Sequence, residues 1–314
     1  MKVFAAHEKI QNFLINNPIE GITIVDDPRK CHYLISGKYK QTQHNPLLQG
    51  VIIPYTGHNG IDLKDMREKE LKLFIISTRS RYVAEKAVTL TLSLLGNTLN
   101  YHNSLKEGNW SERNSNTRKP WVSIQGLSIG LFGYGRIGKG IHKMLKGFDC
   151  EFYTIDRNKE YPKDIFLVKN LTNLVQVSDI IIIAAPLNNT TEEIFNEKLF
   201  SRMKNKYLIN VGRGNIIEEK SLYNALVNNT LKGFASDVWY NYPKVKEVML
   251  PSSQPIYDLD NVVLSNHSGG FTTNTNREVN EALLKLLIKM RDGNFEEQLD
   301  LDKLIWGELL WKNY

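Results

Sequence analysis

The 314-residue chain is poor in features that would place it in several large classes. It has two cysteines, Cys31 and Cys150. They sit in no metal-like cluster and are too few for a disulfide framework, so neither a metal site nor a cystine-stapled secreted domain is expected. No apolar run approaches the ~18 residues of a membrane span; Ile180 to Ala185 has only the length of a strand. The opening MKVFAAHEKI has no long apolar stretch followed by a small-residue cleavage site, and the expectation is a cytoplasmic protein. Net charge is +6, but Lys and Arg are scattered among Asp and Glu, with no dense basic run and no interleaved aromatics. That pattern argues against nucleic-acid binding, and a basic surface favours the approach of anionic ligands. Solenoid-period repeats and low-complexity tracts are also missing.

What is present is alternation. Before residue 80 the segments KVFAA, GITIVDD, CHYLIS, GVIIPYTG and LKLFIIS read as strands, with Ile10, Phe13 and Leu14 at helical spacing between the first two. A long helix is predicted from about Tyr82 to Gly96, followed by the polar stretch KEGNWSERNSNTRKPW. A second series then runs LSIGLFG, CEFYTID, DIIIIAAP, KYLINVG, GFASDVW and NVVLSNH, with helices between. Continuous apolar strands separated by helices imply an α/β fold with a parallel sheet covered on both faces. A last helix, about Asn274 to Met290, puts Val279, Leu283, Leu286, Leu287 and Met290 on one stripe.

The first strand of the second series runs into Gly133, Gly135 and Gly138 and then into a helix with Ile137, Ile141 and Leu145 at apolar spacing. The next strand ends on Asp156, roughly 20 residues on, as a dinucleotide fold requires. Gly133 permits the turn, Gly135 lets the backbone approach a pyrophosphate, and Gly138 lets the helix sit close to the sheet. Free N–H groups near Arg136 and Ile137 then face the phosphates with the helix dipole behind them. Asp156 suits the hydroxyls of an adenosine ribose and repels a 2′-phosphate, so NAD is expected over NADP. Arg157, next to it, offers a guanidinium that a phosphate would accept.

Several motifs in order, YTGHNGID, SRYVAE, GYGRIGKG, SDIIIIAAPLNNTT, INVGRGNIIEEKSLYNAL, SDVW and SNHSGG, resemble the NAD-dependent D-2-hydroxyacid dehydrogenases over nearly the whole chain. The resemblance implies a doubly wound cofactor domain, residues 97–286, inserted into a smaller flavodoxin-like substrate domain, 1–96 with 287–314, and a substrate cleft between them. It implies that Arg213 clamps a 2-keto carboxylate through its planar fork, that His267 is the acid/base, and that Asp237 orients the nicotinamide. It places cofactor contacts at Ala185, Pro186, Thr191, Val211 and Gly269, and backbone contacts to the substrate carboxylate at Thr56, Gly57 and His58. The side chains of the other histidines, His7, His32, His44, His58, His102 and His142, are read as structural. Relatives are commonly homodimers, for which NWSERNSNTRKPW would be an arm.

Two departures from the family pattern stand out. The family usually carries a glutamate before the proline that follows Asp237, paired with the histidine; here Tyr242 precedes Pro243. A carboxylate partner raises an imidazole pKa by about 1–3 pH units, whereas a phenol, titrating near ~10, can hydrogen-bond but brings no charge. Tyr242 therefore leaves open a dehydrogenase with a displaced pH range, an altered reaction, or a weakened enzyme, with Glu247 a substitute acid. Formate dehydrogenases of the superfamily also lack the carboxylate. The second departure is Arg79, placed with Arg81 before the long helix. It either meets a second anionic group on the substrate or forms a surface pair with acids such as Glu85. The rival to the enzyme is an NAD(H)-responsive binding module, for which the tail with Trp306 and Trp311 would be a surface; its other use is to cover the substrate domain.

Overall fold

The structure, a computed structural model, describes residues 1–43, 45–55, 57–111, 120–244 and 248–309, with backbone alone at 43 and 306–309. Thr56, His44, Glu247, Trp311, the Trp306 side chain and residues 112–119 of the expected arm lie outside the described set. The chain divides into two compact units, Met1–Ser80 with Phe271–Asn313, and Arg81–Gly270.

The first unit is built on a parallel five-stranded sheet in the order β2-β1-β3-β4-β5, with β1 Lys2–Ala5, β2 Thr23–Ile24, β3 Tyr33–Ile35, β4 Gly50–Ile53 and β5 Lys72–Ile75. This is the flavodoxin-like order. Strand alternation divides its core between two faces. Ile35, Ile52 and Phe74 point to one side, where the helix Thr275–Arg291 packs Val279, Leu283, Leu286, Leu287 and Met290 against them. Leu34, Val51, Ile53 and Leu73 point to the other, against Tyr39, Met66 and the free thiol of Cys31.

The second unit holds a parallel seven-stranded sheet, order β12-β11-β10-β9-β6-β7-β8. Its strands are β6 Ser128–Phe132, β7 Glu151–Ile155, β8 Ile165–Val168, β9 Ile180–Ile183, β10 Lys206–Asn210, β11 Leu231–Ser236 and β12 Val262–Leu264. The order reverses between β6 and β9, the switch point at which such sheets bind ligands. At that centre all four isoleucines of β9 are 0% exposed, each contributing about 1.5–3 kcal/mol of burial. The helix Ser80–Leu95 lies along this unit's core through Ala84, Ala87, Leu90 and Leu95. Compactness therefore puts one boundary at the start of that helix, and the other ahead of Thr275–Arg291, whose stripe packs in the first unit.

Several elements escape the sequence reading, among them the tail helix Leu301–Leu309 and the following two. Edge strand β8 has Phe166 and Leu167 largely exposed, so its apolar content does not report burial. A helix, Thr98–Lys106, follows Asn97 between the long helix and the polar stretch and buries no residue, so it lacks the apolar stripe by which helices are recognised. Among the described residues no helix is long and apolar enough to cross a membrane.

Candidate active site

The glycine loop connects β6 to the helix Arg136–Leu145, with Gly135 at its N-cap. Gly133 has φ +110°, and a Cβ there would lie 2.7 Å from the backbone of Ala184 and Ala185, which follow β9. Two strand ends thus approach as closely as peptide backbones allow. A Cβ at Gly138 would strike the Gly133 carbonyl oxygen, so this glycine keeps the helix's first turn against the loop itself. A Cβ at Gly135 would meet nothing within 4 Å, and no side chain caps the helix there. Arg136 is exposed and Ile137 half-buried beside these open N–H groups. An anion with a backbone-hugging shape fits this cradle.

Asp156 stands at the end of β7, half-buried, its Oδ1 accepting from Asn158 N at 2.9 Å. Arg157 follows, its N–H donating to Tyr161 Oη at 3.0 Å. Two supports of the loop carry no motif. Lys159 Nζ donates to the Tyr134 carbonyl inside the glycine loop at 2.8 Å, with its ammonium 5.3 Å from the Tyr161 ring. Burial, with Lys139 and Arg157 close by, pulls this lysine's pKa down. Beneath the loop Tyr134 Oη and buried His142 Nδ1 share a hydrogen bond of 2.8 Å, and His142 Nε2 faces Asp164 at 3.3 Å.

Of the residues after β9, Ala185 is buried and packs on Gly133 and Gly212. Thr191, fully buried, donates its hydroxyl to the Pro186 carbonyl at 2.7 Å, which fixes the turn after the strand. Val211, buried, leads from β10 into Arg213. The arginine turn is held by Asn210, which sequence reasoning passed over: its Oδ1 accepts from Gly212 N and its Nδ2 donates to the Arg213 carbonyl, both at 2.9 Å. Arg213 NH1 donates to the Gly212 carbonyl at 2.7 Å.

Past β11, Asp237 is 2% exposed. Its carboxylate accepts from Ser265 Oγ (2.6 Å), Ser268 N (3.0 Å) and Gly269 N (2.8 Å). Three donors from one loop bind that loop to the buried acid. His267 rides on the loop with φ +57°, a left-handed conformation uncommon outside glycine that histidine enters more often than most side chains. The His267 ring keeps much of its surface exposed, yet its pKa is lowered, first by partial burial and then by the Arg213 charge, with Asp237 acting in the opposite sense. The Arg213 charge thus disfavours imidazolium at His267.

Tyr242 lies against His267, ring centroids 5.3 Å apart and planes 56° apart. Its hydroxyl does not reach for the imidazole; it accepts from Trp239 N at 2.9 Å. Among the described residues no carboxylate hydrogen-bonds His267. Beside the pair is a hollow of about 690 Å³ lined by Lys86, Trp239, Tyr242, Leu264, Asn266 and Ser268. A carboxylate at position 242 would face the imidazole and restore the missing charge. Tyr242→Glu should therefore move the His267 pKa up by about 1–3 pH units. Imidazolium is lost as pH rises through that pKa. Any step needing it therefore fades at lower pH in the wild type than in the variant, and NMR titration of the His267 ring reads the difference. Identical titrations would show that position 242 has no electrostatic hold on His267.

In the first unit, Gly57 has φ +105° and follows Tyr55 in the loop after β4, and the His58 carbonyl accepts from Ile61 N. Arg79, half-buried, holds its guanidinium 5.1 Å over the Phe271 ring, and burial lowers its pKa. Arg81 belongs to the second unit, is exposed, and donates to Tyr82 Oη at 2.8 Å. Among the described residues no group of His, Cys, Asp or Glu could hold a metal.

The second unit is a doubly wound dinucleotide-binding domain with a buried acid, an arginine and a histidine on successive strand ends. Residues 88–269 match the profile of the D-isomer specific 2-hydroxyacid dehydrogenase NAD binding domain. The chain belongs to that family. It is 28% identical over 221 residues to a formate dehydrogenase of Chaetomium thermophilum, spanning 68% of this chain and 59% of that protein. It is 27% identical over 267 residues to a glyoxylate reductase of Pyrococcus horikoshii, spanning 82% and 77%. The NAD-dependent formate dehydrogenase of Staphylococcus aureus, solved in complex with NAD, superposes with a TM-score of 0.73 over 96% of this chain and 99% of that one, at 25% identity.

Proposed function

We propose that the protein is an NAD-dependent oxidoreductase that interconverts small 2-keto acids and D-2-hydroxy acids. The observation that carries this reading is the placement of Arg213 and His267 on strand ends of the sheet that carries the open glycine cradle. The second unit serves as cofactor domain and the first as substrate domain. Gly133, Gly135, Gly138 and the N–H groups near Arg136 and Ile137 hold the pyrophosphate. Asp156 takes the ribose hydroxyls and favours NAD, while Arg157 and Lys159 leave NADP a weaker hold. Ala185, Pro186, Thr191, Val211 and Gly269 wall the cofactor. The cofactor, when bound, would supply the hydride as NADH for reduction and accept it as NAD+ for oxidation.

Arg213 pairs with the substrate carboxylate and polarises the keto oxygen. His267, protonated, gives that oxygen its proton during reduction; neutral, it removes the hydroxyl proton in the reverse direction. Asp237 orients the nicotinamide and keeps the His267 loop in place. Backbone N–H groups around Gly57 and His58 grip the carboxylate. A lowered His267 pKa shifts reduction toward acid pH and leaves oxidation available at neutral pH.

A panel of glyoxylate, pyruvate and hydroxypyruvate with NADH and NADPH, followed by nicotinamide absorbance, tests the reading. Steady NADH oxidation is the expected result. Tight NADH binding with no turnover on any of them would favour a binding module. A formate-oxidising variant is the second reading, favoured by a His267 without a hydrogen-bonded carboxylate; formate with NAD separates it, since that reaction moves no proton to the substrate. Assembly as a homodimer in the cytoplasm belongs to the same proposal, and sedimentation checks the dimer.

A further inference from the structure

Arg79 is a cation in want of an anion. It follows β5 at the start of the helix Ser80–Leu95, in a stretch where most side chains turn inward. Its Nε is buried without a hydrogen bond, and no described carboxylate lies within ion-pair distance of its guanidinium. The Phe271 face at 5.1 Å offers a modest attraction and no hydrogen-bond acceptor, and Tyr55 acts on the guanidinium electrostatically. Next to it, Thr78 Oγ1 is also buried without a partner. Buried donors are satisfied in nearly all folded proteins, so two adjacent orphans mark a place where something is to be received. Arg81 shows the contrast, since it is exposed and bonded to Tyr82. A planar guanidinium with a hydroxyl beside it matches an oxyanion, and its rigid fork suits carboxylate or phosphate.

We propose that Arg79, with Thr78, is a specificity-determining site that receives a second anionic group, so that the preferred substrate is a 2-keto acid with a further carboxylate or phosphate. This rests on the proposed function, because Arg213 is there committed to the carboxylate next to the keto carbon. Phe271 backs the guanidinium and keeps water from one of its faces, which strengthens its pull on an incoming anion.

Two measurements test it. With NADH, kcat/KM is compared for pyruvate and glyoxylate against oxaloacetate, 2-oxoglutarate and phosphohydroxypyruvate, in wild type, Arg79→Gln and Arg79→Lys. The ratio of doubly to singly charged substrates should fall about 10- to 100-fold in Arg79→Gln, the range for a lost charged hydrogen bond. It should recover in part in Arg79→Lys, which restores charge without the fork. The oxaloacetate and phosphohydroxypyruvate arms tell carboxylate from phosphate. An unchanged ratio would overturn the proposal. Calorimetry needs no turnover: wild type should bind succinate or malonate more tightly than acetate, and Arg79→Gln should erase the difference. If wild type binds the dicarboxylates no better than acetate, the site is not an anion receptor. If it binds them better but turns over no keto acid, the receptor stands and the dehydrogenase reading falls.

Discussion

Replacing His267 by asparagine should lower kcat by about 10²- to 10⁴-fold, the usual contribution of a positioned acid/base, while NADH affinity stays within about threefold. Asparagine is the informative choice because of the backbone. His267 has φ +57°, and asparagine is among the few residues that enter the left-handed region readily. The variant thus keeps the loop that Asp237 holds through Ser265, Ser268 and Gly269, and removes only the proton carrier. Its amide does not titrate, so the limb of the pH–rate profile that belongs to the imidazole should vanish. That limb lies below the ordinary histidine range because burial and Arg213 both disfavour imidazolium. A variant that keeps its rate within tenfold and retains the limb would remove His267 from the chemistry. Holding a histidine in a sparsely populated conformation costs about 1–3 kcal/mol, and here the three hydrogen bonds to Asp237 offset it.

The sequence reveals residues whose role is fixed by spacing along the chain and conceals those fixed by contact across it. Gly133, Gly135 and Gly138 are readable because a strand-to-helix turn uses each at a set offset. Ile180–Ile183 is readable because a central strand of a covered sheet is apolar on both faces. Tyr242 is readable as a position only: that its hydroxyl accepts from Trp239 N and its ring faces His267 depends on how the chain turns between residues 239 and 242. His142 looks like any helical histidine until the loop folds back and sets Tyr134 Oη upon it. Lys159 likewise gains its meaning from the Tyr134 carbonyl, 25 positions away. Asn210 was present in the INVGRG motif, but amides bonding to backbone leave no periodic signal.

Two neighbouring glycines should respond in opposite ways to the same added methyl group. In Gly133→Ala the new Cβ would stand 2.7 Å from the Ala184 carbonyl carbon and the Ala185 nitrogen. Those atoms cannot retreat, because Ala184 N donates to the Phe132 carbonyl at 2.9 Å and closes the β6–β9 ladder. The φ of +110° adds strain for any residue with a Cβ. Overpacking at about 1–3 kcal/mol and backbone strain at about 1–3 kcal/mol together take a large part of a typical 5–15 kcal/mol stability. At about 2–4 °C per kcal/mol for a unit of this size, the melting temperature should fall by roughly 5–20 °C. In Gly135→Ala the φ of −90° suits alanine and the methyl group enters open space, so the melting temperature should hold within about 2 °C. Yet that space is where the pyrophosphate approaches the backbone, and NADH affinity should drop by about tenfold or more. Differential scanning calorimetry and NADH fluorescence titration read the two effects separately. A Gly135→Ala protein that binds NADH as the wild type does would mean that the cradle is not where the dinucleotide lies, because within the glycine loop it is over Gly135 that an added Cβ meets nothing within 4 Å, whereas backbone atoms close off the space at Gly133 and Gly138.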